Sequence, residues 1–526
     1  MLLHDRFQQN AARHPGKTAL KAGGAAWSYG ELAAASGCLA RALVREGLQR
    51  GDRVVLYMDN SADLCLAIFA VLEAGGVFVC LNPTTKYDKL IYVLRDCAAR
   101  VLITQSARHL DLVQVRADAP SLQIVLVDRP EAAPGSTASL AAILAAPPLA
   151  ATLPRIIDID LAALIYTSGS TGNPKGVMMS HLNMHSAVTS ITTYLQNTPE
   201  DRVLCVLPLS FDYGLYQLLM VLSFGGTLIL EKDFAWPTMI IQRLLEEKVT
   251  GFPGVPTLFA VLLNAQILEK YTFPHLRYIS NTAAALPTAL ISRLRAALPG
   301  VTLFSMYGLT ECKRVAYLPP EELDRRPHSV GKAMPNCETF VVDEHGQPVP
   351  PGEVGELVVR GANVMQGYWN LPEETARALR PGRHPYERVL YSGDLFKQDE
   401  EGFLYFVGRK DDIIKCRGEK VSPREVENVL YQIEGIEEAA VLGRPDPMLG
   451  EAVTAVVKRS GKGALEAAEV LRYCAGKLES YCVPQEVLFI AEMPKSSNGK
   501  IDKKRIAAAL AAGGLDLALQ AEPPPA

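Results

Sequence analysis

Short apolar runs of strand length alternate with segments of helical period from near the start of the chain to about residue 306, and this alternation constrains the fold most. Residues 54–58, 77–81, 101–104 and 124–127 are strand-like, and residues 29–47, 62–74 and 87–98 place apolar side chains at helical spacing. The pattern resumes with strand-like runs at 161–166, 203–207, 227–230, 278–280 and 302–306. Strands separated by helices predict parallel sheets covered on both faces. From about residue 329 the character changes. Runs at 338–342 and 356–360 are separated by His345-Gly346 and Pro350-Pro351-Gly352, which is hairpin punctuation. A charged stretch, Gly408-Arg409-Lys410-Asp411-Asp412, then precedes helices at 423–433 and 465–477 with strands at 439–442 and 452–457. The expected fold class is α/β. A large N-terminal domain, 1–410, would hold two parallel-rich α/β subdomains (1–160 and 161–328) and a β-rich one (329–410). A small mobile α+β domain, 411–506, and a flexible tail, 507–526, would complete the chain.

Composition removes several function classes. With 53 basic and 57 acidic residues the net charge is −4, so no global basic field points to nucleic acid. The longest apolar run, 64–81, is interrupted by Glu73 and Gly75-Gly76 and is too broken for a membrane span. Met1-Leu2-Leu3 is followed at once by His4, Asp5 and Arg6, which leaves no apolar core for a signal peptide. Ten cysteines are scattered without a C-x-x-C pair, which argues against zinc or a disulfide framework and for a cytoplasmic, reducing location.

The segment with most chemistry is Tyr166-Thr-Ser-Gly-Ser-Thr-Gly-Asn-Pro-Lys-Gly-Val, residues 166–177, directly after an apolar strand. Glycines 169, 172 and 176 free the backbone to turn its N–H groups toward an anion. Thr167, Ser168, Ser170 and Thr171 add hydroxyl donors, and Lys175 adds charge. Gly172 and Lys175 are separated, so this is not a Walker A loop. Such a stretch taken singly is more often a plain turn; the density of glycines, hydroxyls and lysine favours a phosphate cradle.

With this loop and four further motifs in order, the chain resembles the AMP-forming adenylating enzymes: acyl-CoA synthetases, amino-acid adenylation domains and luciferases. The further motifs are Tyr307-Gly-Leu-Thr-Glu311, Tyr391-Ser-Gly-Asp394, residues 408–423 from Gly408-Arg409 to Ser422-Pro423, and Pro494-Lys-Ser-Ser-Asn-Gly-Lys500. The sequence Tyr307–Arg314 taken with Ser210–Gln217 is similar in style to acyl-CoA ligases associated with exosortase systems. The resemblance implies ATP and Mg²⁺ as cofactors, with Thr167, Ser168, Gly169, Ser170, Thr171, Gly172, Tyr307, Asp394 and Arg409 meeting the nucleotide. It gives catalytic roles to Lys500, Thr310, Glu311 and Lys175, and makes Glu311 the metal ligand. Asp411 becomes the hinge, and Lys415 and Gly418 line a thiol-facing loop.

The implied chemistry has two halves. A carboxylate does not acylate a thiol at neutral pH, so AMP is first transferred to it with release of pyrophosphate. The thiol of CoA or of a phosphopantetheinyl carrier protein then displaces AMP. Two anions must meet in the first half, so the site must supply preorganised positive charge.

Leu209-Ser-Phe-Asp212-Tyr213 resembles the segment in amino-acid adenylation domains whose aspartate pairs with the substrate ammonium; the plain alternative is Asp212 as a helix N-cap. Tyr213, Tyr216, Pro253, Asn281, Met306, Arg314 and Val315 align with pocket positions, and an Arg near an Asp suggests a polar or zwitterionic acid. Asn281-Thr282-Ala283-Ala284 departs from the family's adenine-loop pattern, and Cys416 stands where an aliphatic residue is usual. The twenty residues after 506 are too few for a carrier domain, so the thiol is expected in trans. Two other readings are an acyl-CoA synthetase for a non-amino small or fatty acid, with Asp212 structural, and a non-catalytic nucleotide-binding relative.

Overall fold

Runs rich in Val, Ile and Leu become strands buried on both faces, and they assemble into two large sheets. The computed structural model describes residues 1–511 except 106–109, 129–133, 147–149, 168–173, 235, 283–285, 287, 411, 417–418, 447–448, 461–464 and 497–499. One sheet runs 367–368, 175–180, 161–167, 77–80, 53–57, 101–104, 124–127 and 138–139, parallel from 161–167 onward. The other runs 332–333, 316–318, 302–307, 278–281, 251–254, 202–205, 227–230, 18–22 and 25–28, with six parallel strands in its centre. A third sheet, 337–342, 355–361, 388–398 and 379–381, with 404–409 on 388–398, is antiparallel throughout. Beyond it a smaller sheet of 419–421, 414–416, 450–459, 436–446 and 486–490 packs with helices Pro423–Leu430 and Ala467–Ala475 over its own apolar core. The α/β class read from the alternation is the fold observed.

Sheet membership crosses the expected subdomain line at 160/161. The hairpin Thr18–Ala22 and Ala25–Ser28, which the apolar pattern did not reveal, lies parallel to Thr227–Leu230 in the second sheet. Its turn, Gly23-Gly24, needs two positive φ values (59° and 82°), which glycine adopts without strain. Conversely, Leu161–Thr167 pairs with Val77–Cys80 in the first sheet. A further strand, Gly251–Gly254, was hidden because Gly-Phe-Pro-Gly reads as a turn. Pro253 is accommodated because on the 202–205 side the ladder there is a single register pair, Val203 with Gly251.

The helix His181–Tyr194 is started by a capping box: Ser180 Oγ accepts from the Asn183 N–H, and Asn183 Oδ1 accepts from the Ser180 N–H. Its first residue, His181, is fully buried, accepts the Leu3 N–H on Nδ1 at 3.2 Å and meets the His4 ring edge-on at 5.8 Å. Burial pushes His181 down to about 4, and His4 acts in the same sense against Asp160, Asp5 and Asp158. Between pH 6.5 and about 4 the unfolded chain therefore takes up a proton that the folded chain refuses. The stability that the neutral ring provides is complete above pH 6.5 and is lost as pH falls toward 4. In His181→Asn this component disappears, so melting temperature against pH in that window should be flatter than for the wild type.

Candidate functional site

The C-terminal ends of the parallel strands 251–254, 278–281 and 302–307 open on one side of the second sheet, the place where open α/β sheets bind ligands. The last of these strands turns back as a hairpin, Tyr307 opposite Ala316, with the Val315 N–H donating to Tyr307 O at 3.0 Å. The turn between them carries Thr310, Glu311, Lys313 and Arg314. It is drawn in so tightly that a Cβ on Gly308 would stand 2.3 Å from Lys313 O and 2.9 Å from Arg314 Cα. Lys313 itself takes a positive φ of 63°.

A single stretch sutures this turn to the other sheets. Asn363, fully buried, donates its side-chain amide to Cys312 O at 2.8 Å and Arg314 O at 2.9 Å, and the Met365 N–H reaches Glu311 O. Gly367–Tyr368 then pairs with Val177 and Met178 of the first sheet. The Tyr368 hydroxyl donates to Glu311 Oε1 at 2.8 Å.

Thr167 ends the strand Leu161–Thr167 directly opposite Lys175, which opens Lys175–Ser180. Ser168, Gly169, Ser170, Thr171 and Gly172 lie outside the described residues. Lys175 Nζ pairs with Glu374 at 2.7 Å and lies 5.5 Å from the Tyr368 ring, so Lys175 and Glu311 flank the same tyrosine. The third sheet contributes Asp394 and Arg409, cross-strand partners in register. Tyr307 donates to Asp394 Oδ2 at 2.5 Å, and Arg409 Nε stands 3.1 Å from Oδ1. Burial pushes the Asp394 carboxyl up from its ordinary value; Arg409 and the Tyr307 hydroxyl hold it back.

The C-terminal domain brings Lys500 over the cleft, its ammonium 5.9 Å from the Phe211 ring. The side chain keeps one side open to water, yet the surrounding protein lowers its pKa by desolvation. Asp212 and Asp394 oppose that shift, and Arg409 reinforces it. Lys500 is thus within electrostatic range of Asp212, Arg409 and Asp394. Lys415 lies on the strand Ile414–Cys416, its side chain outside the described set; Asp411 and Gly418 lie outside the described residues.

Asp212 does not cap the helix it precedes in the sequence pattern. The helix is Asp212–Phe224, the N-cap position is Phe211, and no side chain caps it. Asp212 instead faces Lys313, whose Nζ is 2.8 Å from Asp212 O and 3.8 Å from Oδ2. Tyr213 and Tyr216, one turn apart, lie under Lys313 Nζ at 5.3 and 4.5 Å, and Tyr213 bonds Ser280. Arg314, only 2% exposed, donates to Thr282 Oγ1. Met306 accepts from Tyr194 through its sulfur, and Val315 is fully buried. Lys313 was not among the expected site residues. The available signal was a lysine inside the otherwise apolar-flanked run Cys312-Lys313-Arg314-Val315-Ala316. Desolvation lowers its ammonium to about 7, against the pull of Asp212.

Among the described residues no three His, Cys, Asp or Glu side chains could hold a metal by themselves. A lone carboxylate such as Glu311, with one oxygen engaged by Tyr368, suits Mg²⁺, which keeps waters and takes its remaining ligands from phosphates.

Comparison with known proteins fits this geometry. Residues 7–369 match the family model "AMP-binding enzyme", and 425–500 match "AMP-binding enzyme C-terminal domain". The chain belongs to the AMP-binding enzyme family and is an AMP-forming ligase of the acyl-CoA synthetase and adenylation-domain type. A long-chain-fatty-acid–CoA ligase from Bacillus subtilis is 32% identical, over 96% of this chain and 94% of its own. A subunit of linear gramicidin synthase from Brevibacillus parabrevis is 30% identical over 97% of this chain and 6% of that much longer protein. The crystal structure of ATP-bound MatB from Rhodopseudomonas palustris superposes with a TM-score of 0.88 at 30% identity, covering 98% of this chain and 100% of that one. Among the described residues no helix is long and apolar enough to cross a membrane.

The tightness at Gly308 is testable. Gly308→Ala forces Lys313 and Arg314 outward, so urea titration should show a loss of about 1–3 kcal/mol, together with loss of acid-dependent ATP–pyrophosphate exchange.

Proposed function

We propose that this cleft joins a carboxylic acid to a phosphopantetheine thiol in two halves, with Lys500 serving the first. The observation that carries this reading is the position of Lys500, which the C-terminal domain holds 5.9 Å from the Phe211 ring and within electrostatic range of Asp212, Arg409 and Asp394. In the first half the substrate carboxylate attacks the α-phosphorus of ATP and pyrophosphate leaves. No general base is needed, because the nucleophile is already ionised. Lys500 sits between the two approaching anions and offsets their repulsion. Thr167, the loop 168–172 and Lys175 take the phosphates, with Lys175 exchanging Glu374 for them; Thr310 stands beside Glu311 to bond a phosphate oxygen. Asp394 takes the ribose hydroxyls, Arg409 stays beside it, and Tyr307 lines the base side. Glu311 is the ligand for Mg²⁺, which supplies Lewis-acid charge to the phosphates when bound.

In the second half the C-terminal domain turns about Asp411. Lys500 withdraws, and Lys415 and Gly418 come to the thiol entrance while CoA or a carrier protein delivers the nucleophile. Such closure is a hinge-type rearrangement. The ten free cysteines suit a reducing, cytoplasmic setting. As to the acid, one observation favours a non-amino substrate: the Asp212 carboxylate already faces a buried lysine, so an ammonium is not required to neutralise it.

Lys500→Ala tests the division of labour. Formation of acyl-AMP should fall by about 100-fold or more, while thioester formation from supplied acyl-AMP keeps most of its rate. Stopped-flow or quenched measurement of each half-reaction separates them; equal losses in both would contradict the proposal.

A further inference from the structure

We infer that the buried end of the acid pocket seats a second anionic group of the substrate, so that the preferred acids are dicarboxylic or similarly dianionic. The inference rests on the ligase reading above and specifies its substrate class. Lys313 and Arg314 are consecutive, 4% and 2% exposed, and are packed on the rings of Tyr213 and Tyr216. Two basic side chains are thus buried together, and the carboxylate paired with them is Asp212, 3.8 Å from Lys313. The side-chain partners of Arg314 among the described residues are neutral: the Thr282 hydroxyl and the Tyr213 ring. Burying unbalanced charge is costly unless a counter-ion arrives.

Hydrogen-bond accounting points the same way. Arg314 Nε–H and the Tyr216 hydroxyl are both buried and have no acceptor among the described residues. Lys313 Nζ sits 4.5 Å from the Tyr216 ring and gives one hydrogen bond to Asp212 O. Missing acceptors beside a net positive charge define a seat for an anion with several oxygens, and a guanidinium is well shaped for a carboxylate. The seat lies on the turn that carries Glu311, three residues before Arg314, and Lys313 is 3.8 Å from Asp212, the carboxylate that also acts on Lys500. A neutral alkyl tail placed there would leave these donors and the charge unmet, whereas a second carboxylate satisfies both.

The test is acid-dependent ATP–pyrophosphate exchange with succinate, glutarate and adipate, against butyrate, valerate and hexanoate, with aspartate, glutamate and valine as amino-acid arms. For wild type, kcat/KM for a diacid should exceed that of the monoacid of equal length by about 100-fold or more, the discrimination expected when buried polar groups are otherwise left unpaired. Arg314→Met should erase most of that ratio, and Arg314→Lys should restore part of it, with an AMP-induced rise in melting temperature confirming that each variant is folded. The wild-type ratio stands as a test even if a variant does not fold. A strongest response to aspartate or glutamate also supports the seat and assigns Asp212 to the amino group. Preference for butyrate, valerate, hexanoate or the neutral amino acid valine overturns the seat and leaves the ligase reading standing. Exchange with none of these acids overturns the seat and leaves the ligase class, which the family match carries, standing.

Discussion

The cleft depends on the buried amide of Asn363, which holds two backbone carbonyls of the turn that carries Glu311, Lys313 and Arg314. Each such bond contributes only about 1 kcal/mol net, but leaving a buried carbonyl unpaired costs about 1–3 kcal/mol. The same stretch goes on to pair with the first sheet and to place Tyr368 between Lys175 and Glu311. Three sheets therefore meet at one short segment. The strand Lys175–Ser180 and the hairpin that follows Tyr307 are both tied to it.

This arrangement suits the electrostatic problem of the reaction. Positive charge must be concentrated where a carboxylate and a polyphosphate meet, and must be held in place until they arrive. Lys175 is held by Glu374, Arg409 by Asp394, and Lys313 by Asp212, each pair bringing one cation from a different part of the fold. Lys500, by contrast, arrives from the C-terminal domain. A charge supplied by a separate domain can be withdrawn, and a site that performs two unlike steps needs that property.

Much of the fold was legible because its signals are local. Apolar runs such as 54–58 and 101–104 could be only buried strands, and Ser180 with Asn183 marks a helix start. The Gly-Pro-Gly-rich strand Gly251–Gly254 and the N-terminal hairpin were not legible, since partners distant in sequence decide both. The site was legible where motifs are contiguous, as at Tyr307–Glu311 and Lys500. Two features were not: the Lys175–Glu374 pair spans almost two hundred residues, and Lys313 reads as a surface lysine until the positive φ of its turn points it inward.

Product analysis tests the central claim most directly. The intact chain, incubated with an accepted acid, ATP, Mg²⁺ and CoA, should yield AMP, pyrophosphate and the acyl thioester in equal amounts, resolved by chromatography and mass spectrometry. ADP and inorganic phosphate in place of AMP and pyrophosphate would contradict it.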